Sequence, residues 1–159
     1  MHTKSKIVVI TGAESTGKSA LSECISKRLG VPYLKEIARE YVENLNRPYN
    51  FGDIETIARE QVRQLSELQK EGHSVIFADT WLIITKIWFK EVYNHVPEWL
   101  ETEIKKGPID LFLVCDIDLP WVPDPVRENG GDRREYLQQC YINEIEKLGF
   151  RYKTVSGEN

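Results

Sequence analysis

Two kinds of hydrophobic pattern alternate along the chain. Short runs of β-branched and other apolar residues, typical of strands buried on both faces of a parallel sheet, occur at residues 7–11, 31–34, 74–78, 109–115 and 150–155. Between them, apolar residues recur every three or four positions, which predicts helices over residues 19–29, 36–45, 54–71, 80–93, 97–106 and 134–148. Strands that alternate with helices need crossover connections, so the sequence predicts an α/β fold with a parallel five-stranded sheet and helices on both faces.

Residue types at the ends of these segments refine the prediction. Asp53 precedes the longest apolar stripe and is predicted to be the N-cap of that helix, which Gly72 would end. Pro97 suits the first turn of a helix. Residues 119–132 are rich in proline, glycine and charge, which predicts a loop.

The composition narrows the class of protein without indicating a chemistry. A chain of 159 residues with 41% hydrophobic and 29% charged residues is typical of one soluble globular domain, here residues 1–159. The net charge of −4 offers no basic field, so we expect no nucleic acid partner, and no apolar run predicts a membrane span. Three cysteines without a CxxC pair argue against a disulfide framework and a zinc site. We therefore expect a cytoplasmic protein, and the oligomeric state stays open.

One motif indicates a specific chemistry. Residues 12–19 read GAESTGKS, which matches the P-loop pattern at every fixed position and lies between a predicted strand and a predicted helix. The glycines allow backbone N–H groups to converge on phosphate oxygens, Lys18 can reach the β- and γ-phosphates, and the hydroxyl of Ser19 can bind Mg²⁺. The motif therefore predicts a nucleoside triphosphate site. The residues that we expect to line it are Gly12, Ala13, Glu14, Ser15, Thr16, Gly17, Lys18, Ser19 and Ala20.

Two acidic residues that close predicted strands are candidates for a further ligand of Mg²⁺. Magnesium in P-loop proteins usually takes a carboxylate from the end of a neighbouring strand. Asp79 closes SVIFAD and Asp116 closes FLVCD, although an aspartate after a strand more often caps a turn or a helix. By analogy with other P-loop folds we favour Asp79 as the metal ligand, and we expect Asp116 to shape the turn that follows it.

Candidate residues for a second substrate follow the short second strand. Glu36 and Arg39, in the segment KEIARE, could orient a substrate hydroxyl, or they could be ordinary helix residues joined by an ion pair. Trp81 and Trp88 belong to a set of four tryptophans, for which core packing is the usual role, and a flat substrate ring could stack on one of them.

Three arginines, Arg127, Arg133 and Arg134, lie in the stretch DPVRENGGDRR. A solvated charged loop is the ordinary interpretation of such a stretch. Arginine side chains on a mobile segment can also neutralise the charge of a transferring phosphoryl group and exclude water. The stretch is therefore a candidate lid.

Four segments resemble one family. GAESTGKS, EIAREY, ADTWLIITKIW and DLPWVPDPVRENGGDRRE resemble the ribosylnicotinamide kinase domain of NadR-type proteins and its stand-alone ATPase-like relatives, in the same order over nearly the whole chain. The resemblance implies a nucleoside-kinase-like P-loop NTPase fold with an arginine-bearing lid. It also implies ATP and Mg²⁺ as cofactors and a nucleoside such as nicotinamide riboside as phosphate acceptor.

The resemblance also implies roles for individual residues. It implies that Asp79 binds magnesium or the substrate hydroxyl and that Glu36 and Arg39 contact the substrate. It also implies that the three arginines clamp a phosphate. Trp81 stands where many family members carry a second acid. The chain lacks the HxGH segment of an adenylyltransferase, so we do not expect it to make a dinucleotide. It stops at VSGEN, which leaves open whether it is truncated after Asn159.

The leading hypothesis is an ATP-dependent nucleoside kinase in which Lys18, Asp79, Glu36, Arg127 and Arg134 take part in catalysis. The alternative is a regulatory NTP-binding switch or ATPase without a small-molecule acceptor. A GTPase is disfavoured because no NKxD-like segment follows the fourth predicted strand.

Overall fold

The computed structural model describes residues 5–13, 16–107, 109–117 and 132–156. The strands in these residues are β1 Lys6–Thr11, β2 Tyr33–Leu34, β3 Val75–Asp79, β4 Leu111–Cys115 and β5 Tyr152–Val155. The helices are α1 Lys18–Leu29, α2 Ala38–Glu43, α3 Phe51–Lys70, α4 Leu82–Tyr93, α5 Glu98–Lys106 and α6 Asp132–Lys147. Each predicted strand and helix is present, and the ends differ by a few residues.

The five strands form one parallel sheet in the order β2-β3-β1-β4-β5, which confirms the predicted α/β fold. The central strand β1 pairs with β3 on one side and with β4 on the other. Ile10 is opposite Asp79, and Thr11 is opposite Val114. The carboxyl ends of these three strands therefore meet at one edge, where open parallel sheets bind ligands.

Both faces of the sheet are buried. The larger cluster joins β1, β3 and β4 to apolar side chains of α3, α4, α5 and α6, among them Ile54, Leu82, Leu100 and Ile145. On the opposite face, Ile10, Phe77 and Cys115 pack with side chains of α1. Burial on both faces explains why the central strands read as nearly continuous apolar runs.

Three local predictions were wrong in detail. The N-cap of α3 is Asn50 rather than Asp53: the Asn50 side chain accepts the Asp53 N–H at 3.0 Å, and the Asp53 carboxylate accepts the Asn50 N–H at 2.8 Å. Asp53 thus closes a capping box from the third helical position. Pro97 is the N-cap of α5 rather than a first-turn residue, and α4 begins at Leu82, after two residues with extended or left-handed backbone.

The predicted loop over residues 119–132 lies outside the described residues except for Asp132, which begins α6. Among the helices that are described, none is long and apolar enough to cross a membrane. The cytoplasmic location and the single-domain organisation stay predictions.

Candidate functional site

The candidate phosphate loop leaves the central strand through a glycine that no other residue could replace without strain. Gly12 has a φ of +141°, and a Cβ added there would lie 2.9 Å from the backbone oxygen of Cys115 and 3.2 Å from Oγ1 of Thr16. The close approach of β4 therefore requires glycine at this position. The loop ends at Gly17, with φ +86°, and α1 begins at Lys18 with its N–H groups at the same edge of the sheet.

Among the residues of this loop that the structure describes, Ala13 uses both of its backbone polar groups in hydrogen bonds. Its N–H donates to Oε1 of Gln138 at 2.7 Å, and its carbonyl accepts both Oγ1 of Thr16 and Nζ of Lys18 at 2.9 Å. Ala13 is also predicted to contact the nucleotide, which stays a prediction; in this structure its polar groups bond within the protein. Lys18 would have to exchange this carbonyl for a phosphate oxygen. Glu14 and Ser15 lie outside the described residues, and Ala20 is exposed in the first turn of α1.

Ser19 and Asp79 meet although they are 60 residues apart in sequence. The hydroxyl of Ser19 donates to Oδ2 of Asp79 at 2.6 Å. The Asp79 side chain is buried, and this burial raises the pKa of its carboxyl group, opposed by the Ser19 hydrogen bond. The negative charge of Glu36 adds to the increase, and the positive charge of Lys18 opposes it. Three predicted site residues, Ser19, Lys18 and Glu36, therefore lie within electrostatic range of a fourth, Asp79.

The pair formed by Ser19 and Asp79 fits a magnesium ion. Both groups present oxygen atoms, one of them on a carboxylate, which is the donor chemistry that Mg²⁺ prefers. Within the described ranges, no cluster of three or more His, Cys, Asp and Glu side chains could hold a metal by itself. An ion here would therefore need phosphate oxygens or water as further ligands, as is usual for magnesium at nucleotide sites.

Thr80 follows Asp79 with an unusual backbone that the sequence does not signal. Its φ is +76°, which is rare for a β-branched residue, and the side chain is buried. The Thr80 N–H donates to the carbonyl of Ile10 at 2.8 Å, which extends the ladder between β1 and β3 by one bond. This bond holds the chain close to β1 at the point where Asp79 reaches the phosphate loop.

The other strand-end acid, Asp116, has a local role. Its Oδ1 accepts the N–H of Ile117 at 2.8 Å, in keeping with the predicted function in shaping the turn after β4. On the substrate side, Arg39 pairs with Glu43 one turn later in α2, at 3.1 Å, on the exposed surface. The predicted role of Arg39 toward a substrate stays a prediction.

The three predicted lid arginines differ in their positions relative to the described residues. Arg127 lies outside the described residues. Arg133 pairs with Glu91 of α4 at 2.6 Å and lies over the ring of Tyr136, and both contacts are at the helix surface. Arg134 is buried, and its Nη2 reaches the carbonyl of Ile117 at 3.4 Å, just beyond β4. Arg134 is thus the one of the described pair that lies at the carboxyl edge of the sheet.

Both candidate tryptophans pack against protein. Trp81 is only 4% exposed and lies in the large core cluster, and its indole Nε1 has no hydrogen-bond acceptor among the described residues. Trp88 is partly buried, donates from Nε1 to Oη of Tyr49 at 3.1 Å and meets that ring edge-on. This packing agrees with the ordinary role of a tryptophan, and stacking on a substrate stays a prediction for both.

Comparison with known proteins supports the same fold. NadR of Escherichia coli strain K12, a trifunctional NAD biosynthesis and regulator protein, is 25% identical over 160 residues, which cover 97% of this chain and 39% of NadR. Two crystal structures of NadR, with NAD and AMP-PNP and with NR, superpose with TM-scores of 0.75 and 0.74 at 22% and 24% identity, covering 98% of this chain and 45% of each of those chains. Thymidylate kinase from Ehrlichia chaffeensis gives 0.65 at 13% identity, covering 99% of this chain and 89% of the kinase.

These similarities confirm the resemblance to NadR-type domains and the P-loop NTPase fold. The chain spans well under half the length of the NadR protein that it matches. A family model described as an AAA domain matches residues 7–159. The chain therefore belongs to the AAA domain family.

Proposed function

We propose that this protein is an ATP-dependent nucleoside kinase that transfers the γ-phosphate of ATP to a hydroxyl of a ribonucleoside, with nicotinamide riboside as the acceptor. The observation that carries the proposal is the contact of Ser19 in the phosphate loop with the buried acid Asp79, with Lys18 and Glu36 in electrostatic range. A phosphate-binding lysine, a hydroxyl, and two acids at the carboxyl edge of a parallel sheet are the groups that phosphoryl transfer needs.

The donor half of the site consists of the phosphate loop and the start of α1. The N–H groups at the N-terminus of α1 attract the phosphates, and Lys18 neutralises charge on the β- and γ-phosphates once it leaves the Ala13 carbonyl. Ser19 and Asp79 would hold Mg²⁺, which when bound neutralises charge on the phosphate oxygens. The NadR complex with AMP-PNP supports ATP as the nucleotide.

The acceptor half rests on the two acids. In the proposed transfer, the acceptor oxygen forms a bond to the γ-phosphorus while the bond from this phosphorus to the β–γ bridging oxygen breaks and ADP leaves. The hydroxyl proton passes to a carboxylate, for which Glu36 and Asp79 are the candidates. Arg134, at the carboxyl edge of β4, and Arg127 would neutralise the transferring group. The NadR complex with NR supports nicotinamide riboside as the acceptor.

The test is a turnover assay with ATP, Mg²⁺ and a panel of nucleosides that includes nicotinamide riboside, adenosine, uridine and thymidine. We expect ADP and a nucleoside monophosphate in equal amounts, with nicotinamide riboside giving the highest kcat/KM. ADP release that no nucleoside accelerates would overturn the kinase proposal and support the alternative of a regulatory ATPase. Faster transfer to another nucleoside would overturn only the choice of acceptor.

A further inference from the structure

Gln138 in α6 connects three elements through its side-chain amide. Its Oε1 accepts the N–H of Ala13 at 2.7 Å, and its Nε2 donates to the carbonyl of Cys115 at 2.7 Å. The two partners are 125 and 23 residues away in sequence, and the side chain is only 6% exposed. One amide therefore joins the phosphate loop, the end of β4 and α6 in a site closed to water.

The partners determine the orientation of this amide. A backbone N–H can only donate and a carbonyl can only accept. Rotating the amide by 180° would place its nitrogen against the Ala13 N–H and its oxygen against the Cys115 carbonyl, so that both bonds would be lost. The arrangement is thus specific to a side chain that carries one acceptor and one donor at this length.

The two bonds lie at the start of the loop, beside Gly12. Cys115, which receives the Nε2 bond, is also the residue whose backbone oxygen would lie 2.9 Å from a Cβ on Gly12. Ala13, which gives its N–H to Gln138, accepts Lys18 at its carbonyl. The amide of Gln138 therefore ties the first peptide group of the loop to the end of β4, one peptide group before the carbonyl to which Lys18 is bonded.

The same face of α6 carries Arg134, one turn before Gln138. Residues four apart in a helix lie above one another, and both side chains bond to carbonyls that follow or end β4, those of Ile117 and Cys115. The position of α6 relative to β4 is thereby linked to the shape of the phosphate loop.

From these contacts we infer that Gln138 is a positioning residue for nucleotide binding, which holds the phosphate loop in the shape that receives a triphosphate and ties that shape to α6. The inference rests on the proposed function only in taking the loop to bind ATP. Without the amide, the Ala13 N–H and the Cys115 carbonyl lose these two bonds, and the loop spends less time in the binding shape. The apparent affinity for a triphosphate then falls in proportion to the fraction of molecules whose loop is in the binding shape.

The test compares Q138M with Q139M. Methionine has nearly the length of glutamine and lacks both polar groups, so Q138M removes the two bonds without opening a large cavity. Gln139 is the adjacent residue of α6; it is exposed, and among the described residues its side chain bonds to Asn143 alone. The readouts are the dissociation constants of ATP and AMP, measured by calorimetry well below the unfolding temperature of each variant.

We expect Q138M to weaken ATP binding about tenfold, as it would if the loop adopted the binding shape about one tenth as often, and to change AMP binding less than about twofold. Q139M should leave both constants unchanged. A merely structural role would lower the unfolding temperature of Q138M and leave the ratio of the two affinities as it was. That outcome, or ATP binding by Q138M equal to that of Q139M, would overturn the inference. Failure of the unchanged chain to bind ATP would instead overturn the proposed function.

If Q138M does not fold, a measurement on the unchanged protein tests the inference. The N–H of Ala13 should exchange with deuterium far more slowly than an exposed loop amide, and the side-chain amide signals of Gln138 should shift on addition of ATP but not of AMP. Exchange of the Ala13 N–H at the rate of an unprotected peptide would contradict the contact on which the inference depends.

Discussion

The hydroxyl of Ser19 and the carboxylate of Asp79 share a 2.6 Å hydrogen bond at the carboxyl edge of the sheet. Ser19 is fixed by the phosphate-loop motif and Asp79 by the end of β3, which pairs with the strand before the loop. Because β1 pairs with β3, the carboxylate of Asp79 lies beside the hydroxyl of Ser19. A hydroxyl and a carboxylate this close together present two oxygen atoms, the type of ligand that Mg²⁺ takes, at one place.

The first prediction concerns Asp79. In D79N the carboxylate is replaced by an amide of the same shape, which is a poor ligand for Mg²⁺. We expect turnover with ATP to fall ~100-fold or more, because this residue would act on the metal and the transferring group. The measurement is the initial rate of ADP formation as the Mg²⁺ concentration is varied.

D116N is the matched control for D79N. Asp116 also follows a central strand, but its carboxylate bonds to the Ile117 N–H, and the asparagine Oδ1 can accept the same bond. We expect its rate to stay within about twofold of the unchanged chain, because an amide oxygen still caps the turn. Equal losses in D79N and D116N would contradict the choice of Asp79 as the metal-side acid.

The second prediction concerns the entrance of the phosphate loop. G12A places a methyl group 2.9 Å from the Cys115 oxygen, in addition to a positive φ. The control G72A has a positive φ of +80° but no atom within 4 Å of the added Cβ. We expect G72A to lower the free energy of unfolding by about 1 kcal/mol, from backbone strain alone. G12A should lose at least about 2 kcal/mol, because overpacking adds to that strain.

Urea unfolding measures both glycine variants, and titration with ATP shows whether the loop still binds. We expect G12A alone to lose nucleotide binding. If the two variants are equally destabilised, the close approach of β4 to Gly12 does not constrain the loop.

Much of the site could be predicted because its signals are local. The phosphate loop is a continuous motif, and Asp79 directly ends an apolar run that the pattern identifies as a strand. The contact of Gln138 with Ala13 spans 125 residues, and glutamine in a helix carries no signal of what it faces. Asn50 was missed as the N-cap of α3 because Asp53 has the same capping chemistry nearer the apolar stripe.

The left-handed backbone of Thr80 could not be predicted from the sequence either. Threonine rarely adopts this conformation, and a turn between a strand and a helix does not in general require it. Its conformation depends on a tertiary contact, the hydrogen bond from the Thr80 N–H to the carbonyl of Ile10. Strained residues of this kind concentrate at functional sites.

The third prediction uses this strain. T80G and T80A both remove Oγ1 and Cγ2 of threonine, and they differ by the Cβ atom, which disfavours a positive φ. We expect T80G to be more stable than T80A by about 1 kcal/mol, the reverse of the order found in regular strands and helices. Thermal unfolding of the two variants at one pH provides the measurement. A more stable T80A would show that this residue relaxes to a negative φ in solution.

The last prediction concerns the pH dependence of stability at Asp53. Its carboxylate accepts Arg47 at 2.7 and 2.9 Å, Tyr41 at 3.0 Å and the Asn50 N–H at 2.8 Å. The hydrogen bonds from Arg47 hold the pKa of Asp53 well below its usual value of 3.8. The folded state therefore binds this proton more weakly than the unfolded chain, so the stabilisation is fully present above pH ~4 and is lost as the pH falls toward the folded pKa.

The variant D53N removes this titration, so its deficit in unfolding free energy relative to the unchanged chain should be constant at neutral pH and shrink below pH ~4. Urea unfolding at several pH values measures it. E60Q is the comparison, because Glu60 pairs with Arg63 at the surface, where an ion pair contributes little to stability. At neutral pH, D53N could lose no more unfolding free energy than E60Q. That result would mean that the Arg47–Asp53 pair does not stabilise the start of α3 and that the capping box alone does.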